Sequence, residues 1–228
     1  MRQLILDTET TGLDPKSGHK IIEFAALEMI DRKLTGDYLH LYINPQREID
    51  IGASRVHGIY TNDVKDKPNF KEVINEILAY IKDAELIIHN AKFDIGFLDY
   101  QFSELNRGIA SDYTTNVIDT LSIARKKFPG AKNNLDALCD RFRIDRADRG
   151  FHGALIDCRL LSDIYLHLTR EQIVLEGFEQ KILNSNTFQF DKIGGDVSLK
   201  VPIPSEHDIS LHNAILKKIN PTDNTEIW

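Results

Sequence analysis

Cysteine is nearly missing from the 228 residues: only Cys139 and Cys158 occur, too few for a disulfide scaffold. Cys139 lies in NNLDALCDRF with Leu135, Leu138 and Phe142 at helical spacing, so both thiols are expected reduced and in the core. Long apolar runs are missing too. Leu4-Ile5-Leu6 meets Asp7 too early for the apolar region of a secretory signal, and no later run approaches the ~20 apolar residues of a spanning helix. The chain is therefore expected to be soluble and cytoplasmic. An excess of positive charge is the third absence: 28 Lys and Arg stand against 35 Asp and Glu, a net charge of −7. That argues against a protein that grips long nucleic acid alone through phosphate contacts. It leaves open an enzyme that handles only a chain end, and acids gathered around metal ions would push the total the same way.

With 42% hydrophobic and 28% charged residues, the composition is globular, and the length fits one large domain or an ordinary domain with an appendage. RQLILD has the length and apolarity of a strand, followed by turn chemistry in TTGLDP. KIIEFAALEMID and DYLHLYINP are expected as two more strands joined by a turn at RKLTG, a hairpin. IDIGASRVHGI lacks periodicity and is expected as a loop with one helical turn. FKEVINEILAYIKDA places Phe70, Val73, Ile74, Ile77, Leu78 and Ile81 on one helical face. AELIIHN and NVIDT supply two further strands, and FDIGFLDYQFSELNR, LSIARKKF, NNLDALCDRF and ALIDCRLLSDIYLHLTR supply helices, the last ending near Arg170. Three strands followed by alternating helix and strand predict an α/β domain, a mixed five-stranded sheet flanked by helices.

Beyond about Gly177 the character changes. Glycines, prolines and small polar residues predict a flexible linker over 176–204, after an ordered domain over 1–175. Within 205–228, Ser205 and Asp208 form a capping signature before apolar Leu211, Ile215, Leu216 and Ile219. Such a short amphipathic helix cannot bury its own face and is expected to dock on a partner.

Three short stretches carry the chemistry. In LDTETTG, Asp7 and Glu9 stand at i and i+2, so on a strand both carboxylates point to the same side. Alone, such a pair is explained as well by strand-end acids facing solvent. In HNAKFD, Asp94 stands at a helix start beside the C-terminal end of a strand, where α/β sheets carry ligands; the competing explanation is that Asn90 or Asp94 caps the helix. In GFHGALIDC, His152 and Asp157 are five apart, ~140° around one continuous helix. They converge more easily with His152 in the glycine-bounded loop and Asp157 one turn inside the helix, although a surface histidine and a dipole-favoured acid would look the same. Jointly, the stretches supply four acids and one imidazole to one cleft. Asp7, Glu9 and Asp157 in contact would raise one another's pKa unless a cation lay between them. All-oxygen ligands favour Mg²⁺ or Mn²⁺.

DTETTG, HNAKFD and HGALID resemble the three exonuclease motifs of the DEDD superfamily of 3′ to 5′ exonucleases, whose fold is RNase H-like. Gly153, four before Asp157, stands where the tyrosine branch has Tyr, so the likeness is to the histidine (DEDDh, DnaQ-like) branch. VIDTLSIARKKFPGAKNNLDALCDRF is similar to the region between the second and third motifs in the proofreading (epsilon) subunits of bacterial DNA polymerase III. The resemblance covers roughly residues 3 to 170. It implies two-metal hydrolysis: Asp7, Glu9 and Asp157 hold one ion, Asp7 bridges to the second, and Asp94 supports that second ion. It also implies that His152 accepts the proton of the attacking water, a role suited to the near-neutral imidazole class. The product implied is a nucleoside 5′-monophosphate. Thr8, His57 and Asn90 are implied around the terminal nucleotide, together with Asp7, Glu9 and Asp157. For Thr8, Thr10 and Thr11 the alternative is turn and cap duty, for His57 a bond to backbone, and for Phe93 a place in the core.

SEHDISLHNAILKKI resembles the tail by which such subunits bind the large (alpha) polymerase subunit, and SNTFQF (Ser185–Phe190) is similar to a sliding-clamp-binding peptide. It departs from that pattern with Ser185 where Gln is usual, and an ordinary apolar linker explains SNTFQF equally. A small theta-like subunit is a further implied partner. The basic run RKKFPGAK and the arginines of RFRIDRADRG either guide a single strand or form a solvated face. The reading expected from the resemblance is a proofreading subunit acting on the 3′ end of DNA. The alternatives are a free-standing exonuclease acting on RNA and a non-catalytic scaffold that stabilises a polymerase.

Overall fold

Alternation along the first strand sorts the sheet-forming part of the chain into layers. In the computed structural model, which describes residues 1–146 and 152–170 together with 206–207, 209–210 and 212, strand β1 (Arg2–Thr10) lies at the centre of a five-stranded sheet. The sheet order is β3-β2-β1-β4-β5. β2 (Ile21–Ile30) and β3 (Lys33–Tyr42) run antiparallel, while β4 (Glu85–Ile88) and β5 (Asn116–Asp119) are parallel to β1, giving the expected mixed sheet. Leu4 and Leu6 point to one face and pack under α3 (Phe70–Ile81) and α4 (Ala91–Glu104). Ile5, with Ala25, Leu27 and Ile87, points to the other and packs under α5 (Thr120–Lys127), α6 (Leu135–Phe142) and α7 (Ala154–Leu168). Each fully buried Leu, Ile or Phe in these layers contributes about 1.5–3 kcal/mol. Cys139 and Cys158 are buried free thiols in the second layer, and Phe93 packs at the margin of the first.

Local chemistry moves three boundaries from their expected places. β1 does not stop before its acids; it continues through Asp7 and Glu9 to Thr10, paired with β2 as far as Thr10 opposite Ile21. The hairpin turn falls at Asp31–Arg32 instead of RKLTG. Both turn residues have positive φ (49° and 65°), the handedness that matches strand twist in a two-residue turn. Lys33–Gly36 are consequently strand, with Gly36 at φ 91° opposite a register shift between Leu27 and Met29. The segment expected as a loop forms α1 (Ile51–His57), followed by the single turn α2 (Thr61–Val64). α1 buries only Ser54 and His57, which leaves no apolar period to read. Its start is held by the Asp50 amide donating to the Thr11 carbonyl at 3.2 Å, and its end by Gly58 at φ 73°.

The chain divides into two units, Met1–Lys181 and Ile182–Trp228. The expected linker over 176–204, the clamp-like peptide Ser185–Phe190 and most of the tail over 205–228 lie outside the described residues. In the second unit the described residues Glu206, His207, Ile209, Ser210 and His212 are helical and exposed. Among the described residues no helix is long and apolar enough to cross a membrane.

Candidate active site

The site forms where β1 outruns its parallel neighbour. β4 pairs with β1 only from Gln3 to Ile5, so Asp7 and Glu9 extend past the last rung shared with β4. Both keep the odd-numbered register of Ile5 and point to the α7 face. There α7 supplies Asp157 from its first turn, and one carboxylate oxygen from each of Asp7, Glu9 and Asp157 falls within 4.8 Å of the others. Three carboxylates that close repel one another. Burial, and then the charges of Asp94, Glu9, Asp157 and Glu23, push the Asp7 carboxyl well above the usual range. A divalent cation among the three would replace repulsion by attraction, and an all-carboxylate donor set suits a hard ion such as Mg²⁺ or Mn²⁺.

Asp94 is not in this 4.8 Å trio, although it is the strongest of the charges acting on Asp7. It is buried in the first turn of α4, and its Oδ1 accepts from the Thr8 amide at 3.0 Å and from the Thr8 hydroxyl at 2.7 Å. Burial still raises its carboxyl to about 7, against the Thr8 bonds that lower it. Thr8 points to the α4 face, opposite its neighbours Asp7 and Glu9, so one strand holds acids on one side and a support for Asp94 on the other. Asn90 forms the turn from β4 into α4 at φ 68°, a left-handed conformation that Asn tolerates. Its side chain makes no capping bond, and its amide donates to Asp119 Oδ1 at 3.1 Å. The capping alternative for Asn90 is therefore replaced by a turn-forming role.

His152 lies just before α7 and is 42% exposed on its side chain, with Nδ1 3.3 Å from Asp157 Oδ2. Its amide donates to the Val56 carbonyl in α1 at 3.2 Å, which ties the loop to the rim of the cleft. His57, on the same rim, is buried; Nδ1 accepts from the Ile59 amide at 3.1 Å, so the proton sits on Nε2. That nitrogen is buried, and burial holds the ring below the usual imidazole value against a contact with the Thr10 backbone that raises it.

The TTG segment after the acids is internally committed. The Thr10 hydroxyl donates to the Gly12 carbonyl at 2.6 Å, and the Thr11 hydroxyl meets His19 Nδ1 at 3.1 Å while accepting from the Lys20 amide at 3.0 Å. The His19 ring lies against Gly12 where any Cβ would stand, so the glycine is required by close approach and not by φ.

One buried acid beside the site was missed from the sequence. Glu23 on β2 faces Glu9 across the sheet; its Oε1 meets His40 Nε2 at 2.7 Å, and its Oε2 accepts from the Ala154 amide at 3.1 Å. In an apolar strand read by alternation, a single acid looks like the solvent-facing residue. The available signal was that the residues sharing its face, Ile21, Ala25, Leu27 and Met29, are apolar as well, so alternation does not place Glu23 on a solvent face.

The family described as Exonuclease (RNase T) matches residues 4–165. The chain is 43% identical over its whole length to the DNA polymerase III subunit epsilon of Haemophilus influenzae, covering 94% of that protein. It is 44% identical to the subunit of the same name from Escherichia coli, with 100% of this chain and 97% of that protein covered. Among solved structures it is similar to exonuclease X in complex with 5′ overhanging duplex DNA, at 27% identity and a TM-score of 0.58, over 74% of this chain and 92% of that one. The nuclease domain of 3′hExo, a DEDDh family member bound to rAMP, shares the fold at a TM-score of 0.63 and 20% identity, over 75% of this chain and 92% of that one.

Proposed function

The chain belongs to the Exonuclease (RNase T) family and, within it, to the DNA polymerase III epsilon subunits, and from that premise we propose that it removes mispaired 3′-terminal nucleotides in the cleft built on Asp7, Glu9, Asp94, His152 and Asp157. The observation that carries the reading is the convergence of Asp7, Glu9 and Asp157 within 4.8 Å, with His152 3.3 Å from Asp157. Asp7, Glu9 and Asp157 would hold one Mg²⁺ or Mn²⁺ ion, and Asp7 with Asp94 the second. Bound there, such ions neutralise charge on the attacking and leaving oxygens of an in-line displacement. His152 takes the proton of the attacking water, with Asp157 at Nδ1 orienting the ring. As the water oxygen joins phosphorus, the bond from phosphorus to the preceding 3′ oxygen breaks, releasing a nucleoside 5′-monophosphate and a strand one residue shorter.

His57, buried on the rim of the cleft, Asn90 and the segment around Thr8 would line the terminal nucleotide. The bonds from Thr8 to Asp94 give Thr8 a supporting part there. The polymerase reading places the protein in the cytoplasm with DNA, its tail over 205–228 on the alpha subunit, Ser185–Phe190 on the sliding clamp, and a theta-like subunit on the exonuclease domain. The test is nucleotide release from matched and mismatched 3′ DNA ends and from short RNA, with Mg²⁺ or Mn²⁺. Faster release from mismatched DNA is expected, and Asp7→Ala should abolish it while the circular dichroism spectrum is unchanged. Release by Asp7→Ala at the wild-type rate would refute the site; preference for RNA would refute proofreading.

A further inference from the structure

A carboxylate inside a packed layer requires full hydrogen bonding, and Glu23, 2% exposed, divides its two oxygens between two elements. Oε1 takes the His40 ring from β3 at 2.7 Å, with the Tyr42 hydroxyl of the same strand also bonding the carboxylate, and Oε2 takes the amide of Ala154 at 3.1 Å. Ala154 is the first residue of α7, whose N-cap is Gly153, with no side chain to accept from the free amides of the first turn. A strand residue 131 positions away in sequence thus does what a capping Ser or Asp would do locally. The charge is of the sign that a helix N-terminus favours, and bonds to an ionised acceptor are roughly twice as strong as neutral ones. What this amide fixes is specific: Asp157 follows it by three residues, and His152 precedes it by two. Both groups that α7 brings to the cleft therefore lie within one turn of the bond to Glu23.

We propose that Glu23 is a positioning residue for the hydrolytic reaction: held by His40, it sets the start of α7 through Ala154, and thereby aims Asp157 and His152 at the acids of β1. This rests on the exonuclease reading above. Glu23 touches neither water nor strand in this role, so its loss should act on turnover and leave strand binding almost intact. A displacement of about 1 Å in a reacting group is enough for a 10²-fold loss.

The test uses the full chain with Glu23→Gln and Glu23→Ala. Glu23→Ala removes every bond of the carboxylate; Glu23→Gln keeps the volume and one acceptor oxygen, and carries the test if the alanine variant does not fold. For nucleotide release from single-stranded DNA, kcat should fall about 10²-fold in Glu23→Ala and about tenfold in Glu23→Gln, with KM changed less than about threefold. The Ala154 amide, followed by NMR, should exchange faster and shift upfield in both variants. A wild-type kcat in both variants overturns the proposal, and so does a lowered kcat with the Ala154 amide unchanged. If the wild-type chain releases no nucleotide, it is the exonuclease reading that fails; the Ala154 amide still reports whether Glu23 holds α7.

Discussion

At Asp94, burial and hydrogen bonding act against each other, and burial wins: two bonds from Thr8 lower the carboxyl, yet it stands near 7 instead of the ordinary 3.8. Asp7 is raised in the same direction by burial and by its acidic neighbours. The consequence for stability has a definite sign. Between about pH 4 and 7 the folded, metal-free protein binds a proton at Asp94 that the unfolded chain has released, so stability falls as pH rises through that window. Metal-free protein should therefore melt progressively lower from pH 4 to 7, and Asp94→Asn, which keeps an acceptor for Thr8, should flatten the fall. Adding Mn²⁺ should raise the wild-type Tm more at pH 8 than at pH 5, because the ion binds carboxylates and not carboxylic acids. Melting curves with chelator and with Mn²⁺ check both. At this scale the sequence exposed Asp7, Glu9, Asp94, His152 and Asp157, since acids and an imidazole at strand ends and helix starts are rare enough jointly to stand out. Glu23 stayed hidden because its partners, His40 and the Ala154 amide, come from distant parts of the chain and leave no local spacing.

At the scale of elements, α7 is held at both ends by one hairpin. Glu23 on β2 takes the amide at its start, and Arg32, at the turn into β3, donates to the Leu166 carbonyl at 3.1 Å and to the Thr169 hydroxyl at 2.8 Å at its end. The Arg32 guanidinium also lies over the Tyr165 ring, 5.8 Å from its centroid. A negative group at the N-terminus and a positive one at the C-terminus both match the helix dipole. The two clamps differ in what they control, because the C-terminal end of this 15-residue helix lies about 16 Å along the axis from Asp157 in its first turn. Arg32→Ala should accordingly lower stability by about 1–2 kcal/mol in urea denaturation and leave kcat within about twofold of wild type. A loss of turnover comparable with that of Glu23→Ala would show that the far end also governs the site. The long elements were legible because their apolar periods are long: six buried residues mark α3, and the apolar run of β2 marks a strand. The turn at Asp31–Arg32 and the helix α1 were not, because each rests on backbone conformation and a few tertiary bonds instead of a repeated pattern.

For the whole molecule, charge and architecture make one argument. A chain of net charge −7, with acids concentrated in its own cleft, has little general attraction for a polyanion. Its hold on a strand must come from ions at the acids, from pocket contacts around the last nucleotide, and from whatever presents the strand. With the tail docked as proposed, tethering to a polymerase that already grips the DNA would replace a bimolecular encounter by an intramolecular one, with an effective concentration set by the expected linker over 176–204. The chain divides at Lys181 and Ile182, after the last described helix of the first unit, so a version ending at residue 181 retains every group of the cleft. Truncated there, the protein should keep the full chain's kcat and KM on free single-stranded DNA. With the alpha subunit of the polymerase present, the full chain should show a KM at least about tenfold lower on a primed, mismatched end, and the truncated form should show no such gain. Co-elution with alpha and steady-state kinetics on the same preparations check the two halves of this expectation. An equal gain for both forms would place the docking surface on the first unit. No gain for either would mean that strand binding by the cleft alone sets the affinity, despite the acidic balance of the chain.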